Sequence, residues 1–180
     1  MNNTAKTLYQ AADIKDALDR MAADILSSRK DAKNLALVGI HSRGVFLAKR
    51  IRQQIANMAA MDIPAGEMDI NLYRDDWTGI NHQPEVRSTR IDFDVNHREV
   101  ILVDDVLYTG RTIRAALDAI IDFGRPKRIE LAVLIDRGHR ELPIQPDYTG
   151  LLVQTRKTEA VNVLLTEYDG VDRVDLIAEQ

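Results

Sequence analysis

Apolar positions along the chain fall into two alternating rhythms. Residues 11 to 28 carry Ile14, Ala17, Leu18, Met21 and Ile25 at helical spacing with charged residues between them, which predicts an amphipathic helix. The unbroken apolar run at 35 to 40, LALVGI, reads as a strand buried on both faces. A second helix follows over 43 to 60, with Leu47, Ile51, Ile55 and Met58 on one side. MDINLY at 68 to 73 predicts the next strand, and VILV at 100 to 103 another buried one. Residues 111 to 123 return to helical spacing through Ile113, Ala116, Leu117 and Ile120, with Gly124 as the stop. IELAVLI at 129 to 135 supplies one more strand.

Buried strands alternating with helices of this length predict a parallel sheet covered on both faces, an α/β domain. The tail differs: VNVLLTE and VDRVDLI flank Tyr168, Asp169 and Gly170, a hairpin-like turn that predicts a small antiparallel addition. Residues 74 to 98 are polar and turn-rich, too long for an ordinary connection, so a flexible, partly β-hairpin arm is expected there. At 180 residues, the chain is expected to form a single domain over 1–180.

Composition narrows the chemistry more than the fold. There is no cysteine, which excludes disulfides, thiolate nucleophiles and thiolate zinc sites. His41, His82, His97 and His139 are scattered, so a metal is expected to be Mg²⁺ held by carboxylates and ligand phosphates. Nothing resembles a signal peptide or a membrane span, and a cytoplasmic location is expected. The net charge of −4 gives no overall attraction to nucleic acid. Locally, residues 125 to 140 gather Arg125, Lys127, Arg128, Arg137 and Arg140, whereas the first helix carries Arg20 among Asp13, Asp16, Asp19 and Asp24.

Ligands of parallel α/β sheets collect where strands end and helices begin. Three loops share that edge: GIHSRG at 39 to 44, DDVLYTGRT at 104 to 112 and DRGHRELP at 136 to 143. Thr109, Gly110, Arg111 and Thr112 enter a helix, so their N–H groups and hydroxyls suit a monophosphate. Asp104 and Asp105 just before them are pure acceptors when ionised and suit paired sugar hydroxyls. Either half alone is ordinary loop chemistry; their union points to a phosphorylated sugar. No Walker loop or dinucleotide fingerprint occurs. A phosphorylation-controlled receiver domain also ends a strand in paired acids, but it places that strand near the N-terminus and gives Thr-Gly-Arg-Thr no role.

VILVDDVLYTGRT, at 100 to 112, resembles the phosphoribosyl-pyrophosphate signature of type I phosphoribosyltransferases. With GIHSRG, LYRDD and LAVLIDRGHRELPIQPDYTG, the chain resembles the PyrR family of pyrimidine operon attenuation proteins over nearly its whole length. The resemblance implies the type I phosphoribosyltransferase fold, a mainly parallel sheet flanked by helices with a flexible loop arm and a small hood. It implies that Asp104 and Asp105 bind the ribose hydroxyls of phosphoribosyl pyrophosphate (PRPP), with Val106, Leu107 and Tyr108 leading into the 5′-phosphate loop of Thr109 to Thr112. His41, Ser42, Arg43 and Gly44 would grip the pyrophosphate, which carries Mg²⁺, with Asp104 and Asp105 as further metal candidates. Arg43 suits that task because guanidinium matches phosphate oxygens two at a time.

Arg74, Asp75, Asp76 and Arg90 belong to the segment matching the family's flexible loop. Purine-specific relatives carry an aspartate where this chain has Tyr108, which is a poor proton acceptor at neutral pH, so a pyrimidine is expected. Uracil would lie beneath Asp136 and Arg137, with Arg137 reading its edge, while His139 and Arg140 are expected at the rim or at a subunit contact. The resemblance thus implies a uracil phosphoribosyltransferase that makes UMP, and a regulator that senses UMP or UTP and binds pyr mRNA, in a homodimer or higher assembly. Enzyme alone and nucleotide-sensing regulator with little catalysis remain as alternatives.

Overall fold

The computed structural model describes residues 5–73 and 88–178 of the chain. In chain order the elements are β1 (Ala5–Gln10), α1 (Ala11–Ser27), β2 (Leu35–Ile40), α2 (Arg43–Ala59), β3 (Ala65–Met68), β4 (Glu99–Leu107), α3 (Arg111–Asp122), β5 (Arg128–Asp136), β6 (Tyr148–Leu152), β7 (Glu159–Leu164), α4 (Thr166–Asp169) and β8 (Arg173–Ala178). The expected parallel sheet is present, in the order β3-β2-β4-β5-β6. Its register is regular through the centre, Val38 opposite Leu102 and Leu102 opposite Leu131.

Strand alternation divides the core in two. Leu35, Leu37, Ile101, Val103, Ala132 and Leu134 face α1 and α2, whose apolar stripes include Ile14, Leu18, Met21, Ile25, Leu47, Ile51 and Ile55. Val38, Ile40, Val100, Leu102, Leu131 and Val133 face α3, which contributes Ile113, Ala116 and Ile120. The polypeptide therefore leaves β2 toward one face and β4 toward the other. That divergence opens a crevice at the carboxyl ends of β2 and β4, the switch point where open α/β sheets take ligands.

Several boundaries differ from the sequence reading. The strand expected at 68 to 73 stops at Met68, because Asp69 turns back to accept the N–H of Asn71 at 2.9 Å and residues Asn71–Tyr73 form a short 3₁₀ turn. Met58, expected in the core, is 48% exposed beside the end of α2. The strand expected at 100 to 103 runs on through the acid pair to Leu107, held by pairing with β5 as far as Asp136. Of the arm, residues 74–87 lie outside the described residues, and in the described part the expected strand reduces to a single bridge between Arg90 and Glu67.

The tail forms the expected antiparallel pair β7 and β8, with α4 as the turn. Its sheet gains β1, in the order β1-β8-β7, which the sequence did not signal because this strand is mostly exposed and lacks alternation. Also unsignalled is β6, an edge strand interrupted by Gly150. Among the described residues, no helix is long and apolar enough to cross a membrane.

Candidate functional site

The acid pair sits at the end of β4 in two different environments. Asp104 is 5% exposed and accepts the N–H of Asp105 at 3.0 Å, while Asp105 accepts the N–H of Val106 at 3.0 Å. Burial pushes the Asp105 carboxyl above its ordinary value, although the hydrogen bond from Asp104 and the nearby Arg43 charge pull the other way. A carboxylate held this way has strong acceptor capacity and little water to use it on.

Immediately beyond, the chain turns into α3 at Gly110, whose φ of +94° favours a residue without Cβ. The first turn of α3 leaves N–H groups without helical partners and directs the positive end of its dipole to the same point. A cavity of about 300 Å³ opens there, lined by residues 106–113 and Glu141. Its floor is braced from the hood, the loop at residues 136 to 143 after β5: Glu141 and Leu142 donate their N–H groups to the Thr109 carbonyl at 2.9 and 3.2 Å. Arg111 Nε meets Glu141 Oε2 at 2.8 Å on the rim. The expected loop residues therefore converge, with two refinements: Leu107 is only 1% exposed, and its carbonyl accepts the N–H of Arg137 at 3.1 Å. Leu107 thus belongs to the wall behind the cavity.

The loop after β2 comes to the same crevice. Gly44 starts α2 directly against β4, where an added Cβ would stand 2.3 Å from the Val103 carbonyl oxygen and 3.2 Å from the Asp104 Cα. That close approach brings residues 41–44 next to the acids. The peptide between His41 and Ser42 is cis. His41 Nε2 lies 3.6 Å from Glu67, which Lys49 also engages at 2.7 Å, holding its carboxyl below the usual range. Arg43 makes a two-point ion pair with Asp169, Nε to Oδ2 at 3.0 Å and Nη2 to Oδ1 at 2.8 Å.

On the other side of the crevice, the Arg137 guanidinium lies 4.0 Å from the centre of the Tyr108 ring, and the His139 ring meets Tyr108 edge-on at 6.0 Å. Arg137 is 7% exposed and donates to Thr155 Oγ1 and to the carbonyls of Arg156 and Glu159. Much of its donor capacity therefore fixes the hood to the segment before β7. His139 and Arg140, expected at the rim or at a subunit contact, are both partly buried and make hydrogen bonds within their own chain. His139 Nε2 reaches the Thr155 carbonyl at 2.6 Å. Arg140 pairs with Asp136 at 2.6 Å and donates to the carbonyls of Tyr108 and Ile144 at 3.1 and 3.0 Å.

These positions split the basic run at 125 to 140. Arg137 and Arg140 fold into the hood at one end of β5, whereas Lys127 and Arg128 lie at its other end, paired with Glu99 at 3.0 Å and Glu130 at 2.9 Å. A nine-residue strand, roughly 30 Å long, separates the two groups. Of the loop candidates, Arg74, Asp75 and Asp76 lie outside the described residues; Arg90 is exposed and bridges to β3 at Glu67. Asp169, Tyr168 and Thr155 border the site and were not anticipated, since each comes from a distant stretch with no motif of its own; Glu141 lies in the expected loop at 136 to 143 but was not singled out within it.

Residues 4–168 match the family model described as the phosphoribosyl transferase domain. A bifunctional protein PyrR from Syntrophobacter fumaroxidans is 56% identical over 97% of this chain and 94% of its own length. Another from Thermus thermophilus is 55% identical over 94% and 93%. Among solved structures, a hypoxanthine-guanine phosphoribosyltransferase from Bacillus anthracis superposes with a TM-score of 0.72 at 14% identity, covering 99% of this chain and all of that one. A hypoxanthine-guanine-xanthine phosphoribosyltransferase gives 0.69 at 17%, with 99% and 98% covered. At those identities, the structures establish the fold alone.

Proposed function

Because the chain belongs to the phosphoribosyl transferase family and, within it, to the PyrR proteins, we propose that it makes UMP and pyrophosphate from uracil and PRPP. We also propose that it regulates pyrimidine genes by uridine-nucleotide-dependent binding to pyr mRNA. The observation that carries the transferase reading is the continuity of β4 into α3: two acids, then a left-handed glycine and a helix start, opening on one cavity.

In the reaction, the C1–O bond to pyrophosphate breaks as the C1–N1 bond to uracil forms, the N1 proton of uracil leaves with the pyrophosphate, and the ribose carries positive charge between the two groups. Asp104 and Asp105 accept hydrogen bonds from the ribose hydroxyls and place two carboxyl groups near that charge. Thr109 to Thr112 hold the 5′-phosphate, and Arg43, with the backbone of residues 41–44, receives the leaving group. Tyr108 and the hood wall off the base. Arg137 stacks on Tyr108 and is tied to three further groups, so it shapes the base pocket as a fixed cation.

Mg²⁺ suits this donor set. Among the described residues, no group of three acidic or histidine side chains forms a metal cage. Two adjacent carboxylates fit a cation that keeps water and takes its other ligands from phosphate oxygens. When bound, the ion supplies charge neutralisation on the leaving pyrophosphate; Asp104 and Asp105 are the residues able to hold it.

The test is pyrophosphate release from PRPP and Mg²⁺ with uracil, orotate, hypoxanthine or guanine offered separately. Turnover with uracil alone is expected, and turnover with a purine would overturn the substrate assignment. For the regulator, pyr leader RNA is titrated with and without UMP. Tighter binding with UMP is expected, and binding of equal strength in both conditions would remove the sensing role. Sedimentation of the same protein is expected to show a homodimer or larger assembly.

A further inference from the structure

Arg43 is tied to a residue 126 positions away in sequence, and the geometry of that tie is selective. Asp169 takes the Nε and Nη2 edge of the guanidinium, and among the described residues no hydrogen bond occupies Nη1. Tyr168 lies against the same group, its ring centre 5.3 Å from the guanidinium carbon. Asp169 is itself fixed, because its Oδ2 also accepts the N–H of Leu165 at 2.8 Å at the start of α4. One would read the pair as a fastener for the C-terminal turn, but that task is already done two helical turns along α2. There, Arg50 makes four hydrogen bonds, two to Glu167 and two to Asp172.

The second carboxylate near Arg43 is Asp105, whose charge the guanidinium feels. A guanidinium released from Asp169 would still feel the Asp105 charge, and a pair between them would occupy both the pyrophosphate cation and a ribose acid. We propose that Asp169 is a positioning residue for the pyrophosphate half of the site: it grips one edge of Arg43, turns the Nη1 end toward the leaving group and keeps the cation off Asp105. This rests on the reading of Arg43 as the pyrophosphate clamp.

UMP separates positioning from general damage, since it fills the 5′-phosphate and ribose sites but carries no pyrophosphate. Binding of Mg²⁺-pyrophosphate and of UMP is measured by calorimetry on the full chain, alongside kcat and KM for PRPP. Asp169→Asn keeps an oxygen for the Leu165 N–H while removing the charge. It is expected to weaken pyrophosphate binding and raise the PRPP KM by about tenfold, with UMP binding within about twofold. Asp169→Glu is expected to recover most of the loss. Asp172→Asn, which loosens the Arg50 fastening and keeps an oxygen for the Thr166 N–H and hydroxyl that Asp172 Oδ1 also accepts, is expected to lower thermal stability while leaving the pyrophosphate-to-UMP ratio unchanged.

Equal weakening of UMP and pyrophosphate in Asp169→Asn, or unchanged or tighter pyrophosphate binding, overturns the inference. If Arg43→Gln binds pyrophosphate like the unaltered protein, the clamp reading itself fails and takes the inference with it. That pattern is distinct from an impaired Arg43→Gln beside an unaffected Asp169→Asn.

Discussion

The two halves of the crevice are built by opposite means. The phosphate side is made by one continuous stretch, Asp104 through Thr112, where a strand end, a left-handed glycine and a helix start create the cavity from backbone. The pyrophosphate and base sides are made by side chains that meet across the fold: Arg43 with Asp169, His41 beside Glu67, Arg137 with Thr155 and the carbonyls of Arg156 and Glu159. A backbone cradle is as rigid as the sheet that carries it. A side-chain clamp is only as well placed as its partners. Substitutions on the first side should therefore act on chemistry with the rest of the molecule intact, and substitutions on the second should act through geometry.

The largest contrast is expected from Asp105→Asn. Its carboxyl is half-buried at the end of a central strand, so the amide should be accommodated while UMP pyrophosphorolysis falls on the order of 10² to 10³-fold in kcat/KM. Unchanged turnover would remove the acid pair from the reaction. The same carboxyl gives a pH test: burial raises its pKa, so it protonates at higher pH than an ordinary aspartate. The acid-side fall in kcat/KM should then begin above the ordinary value of 3.8 and disappear from the residual activity of Asp105→Asn.

Gly44→Ala tests the junction between the halves. Its Cβ would press on the Val103 carbonyl, and both partners are backbone, so neither can yield cheaply. A loss of about 1–3 kcal/mol in urea unfolding is expected, with PRPP binding weakened more than UMP binding. Equal weakening of the two ligands would mean that the loop at residues 41–44 and the cradle are not independent.

Acid titration addresses the distant supports. Arg50 lowers the Asp172 carboxyl from 3.8 to about 2, and Arg43 lowers that of Asp169 in the same direction. A depressed carboxylate stabilises the fold above its unfolded pKa and loses that contribution as pH falls through its folded value. The Asp172 contribution is thus complete above about pH 4 and lost by about pH 2. Thermal unfolding across that window should steepen less with pH in Arg50→Gln. The smallest effect belongs to Glu141→Gln. Its pair with Arg111 is half exposed, so stability should change by less than about 1 kcal/mol and UMP affinity by less than about twofold.

What was legible follows the same division. Helix and strand periodicity located α1, α2, α3, β2, β4 and β5, because each buries a stripe or an unbroken apolar run whose spacing is a local property. β1 and β6 carry no such record; both are edge strands, β1 pairing with β8 at the far end of the chain and β6 with the preceding strand β5. His139 and Arg140 show the same limit. A histidine and an arginine in an exposed-looking loop read as rim or subunit-contact residues, and only the meeting of Thr155, Ile144 and Asp136 at the same point makes them struts of the hood.

The sequence by itself determined the parallel α/β scaffold and the phosphoribosyl side of the crevice, since nine consecutive residues contain both the acids and the turn that makes the cradle. Tertiary structure alone decided where Arg43 points, what Arg137 spends its donors on, and that the basic residues between 125 and 140 fall at opposite ends of a strand. The physical reason is range: backbone conformation and apolar periodicity are set within a few residues, whereas the partner of a charge is set by how the sheet order and the C-terminal hairpin bring distant stretches together.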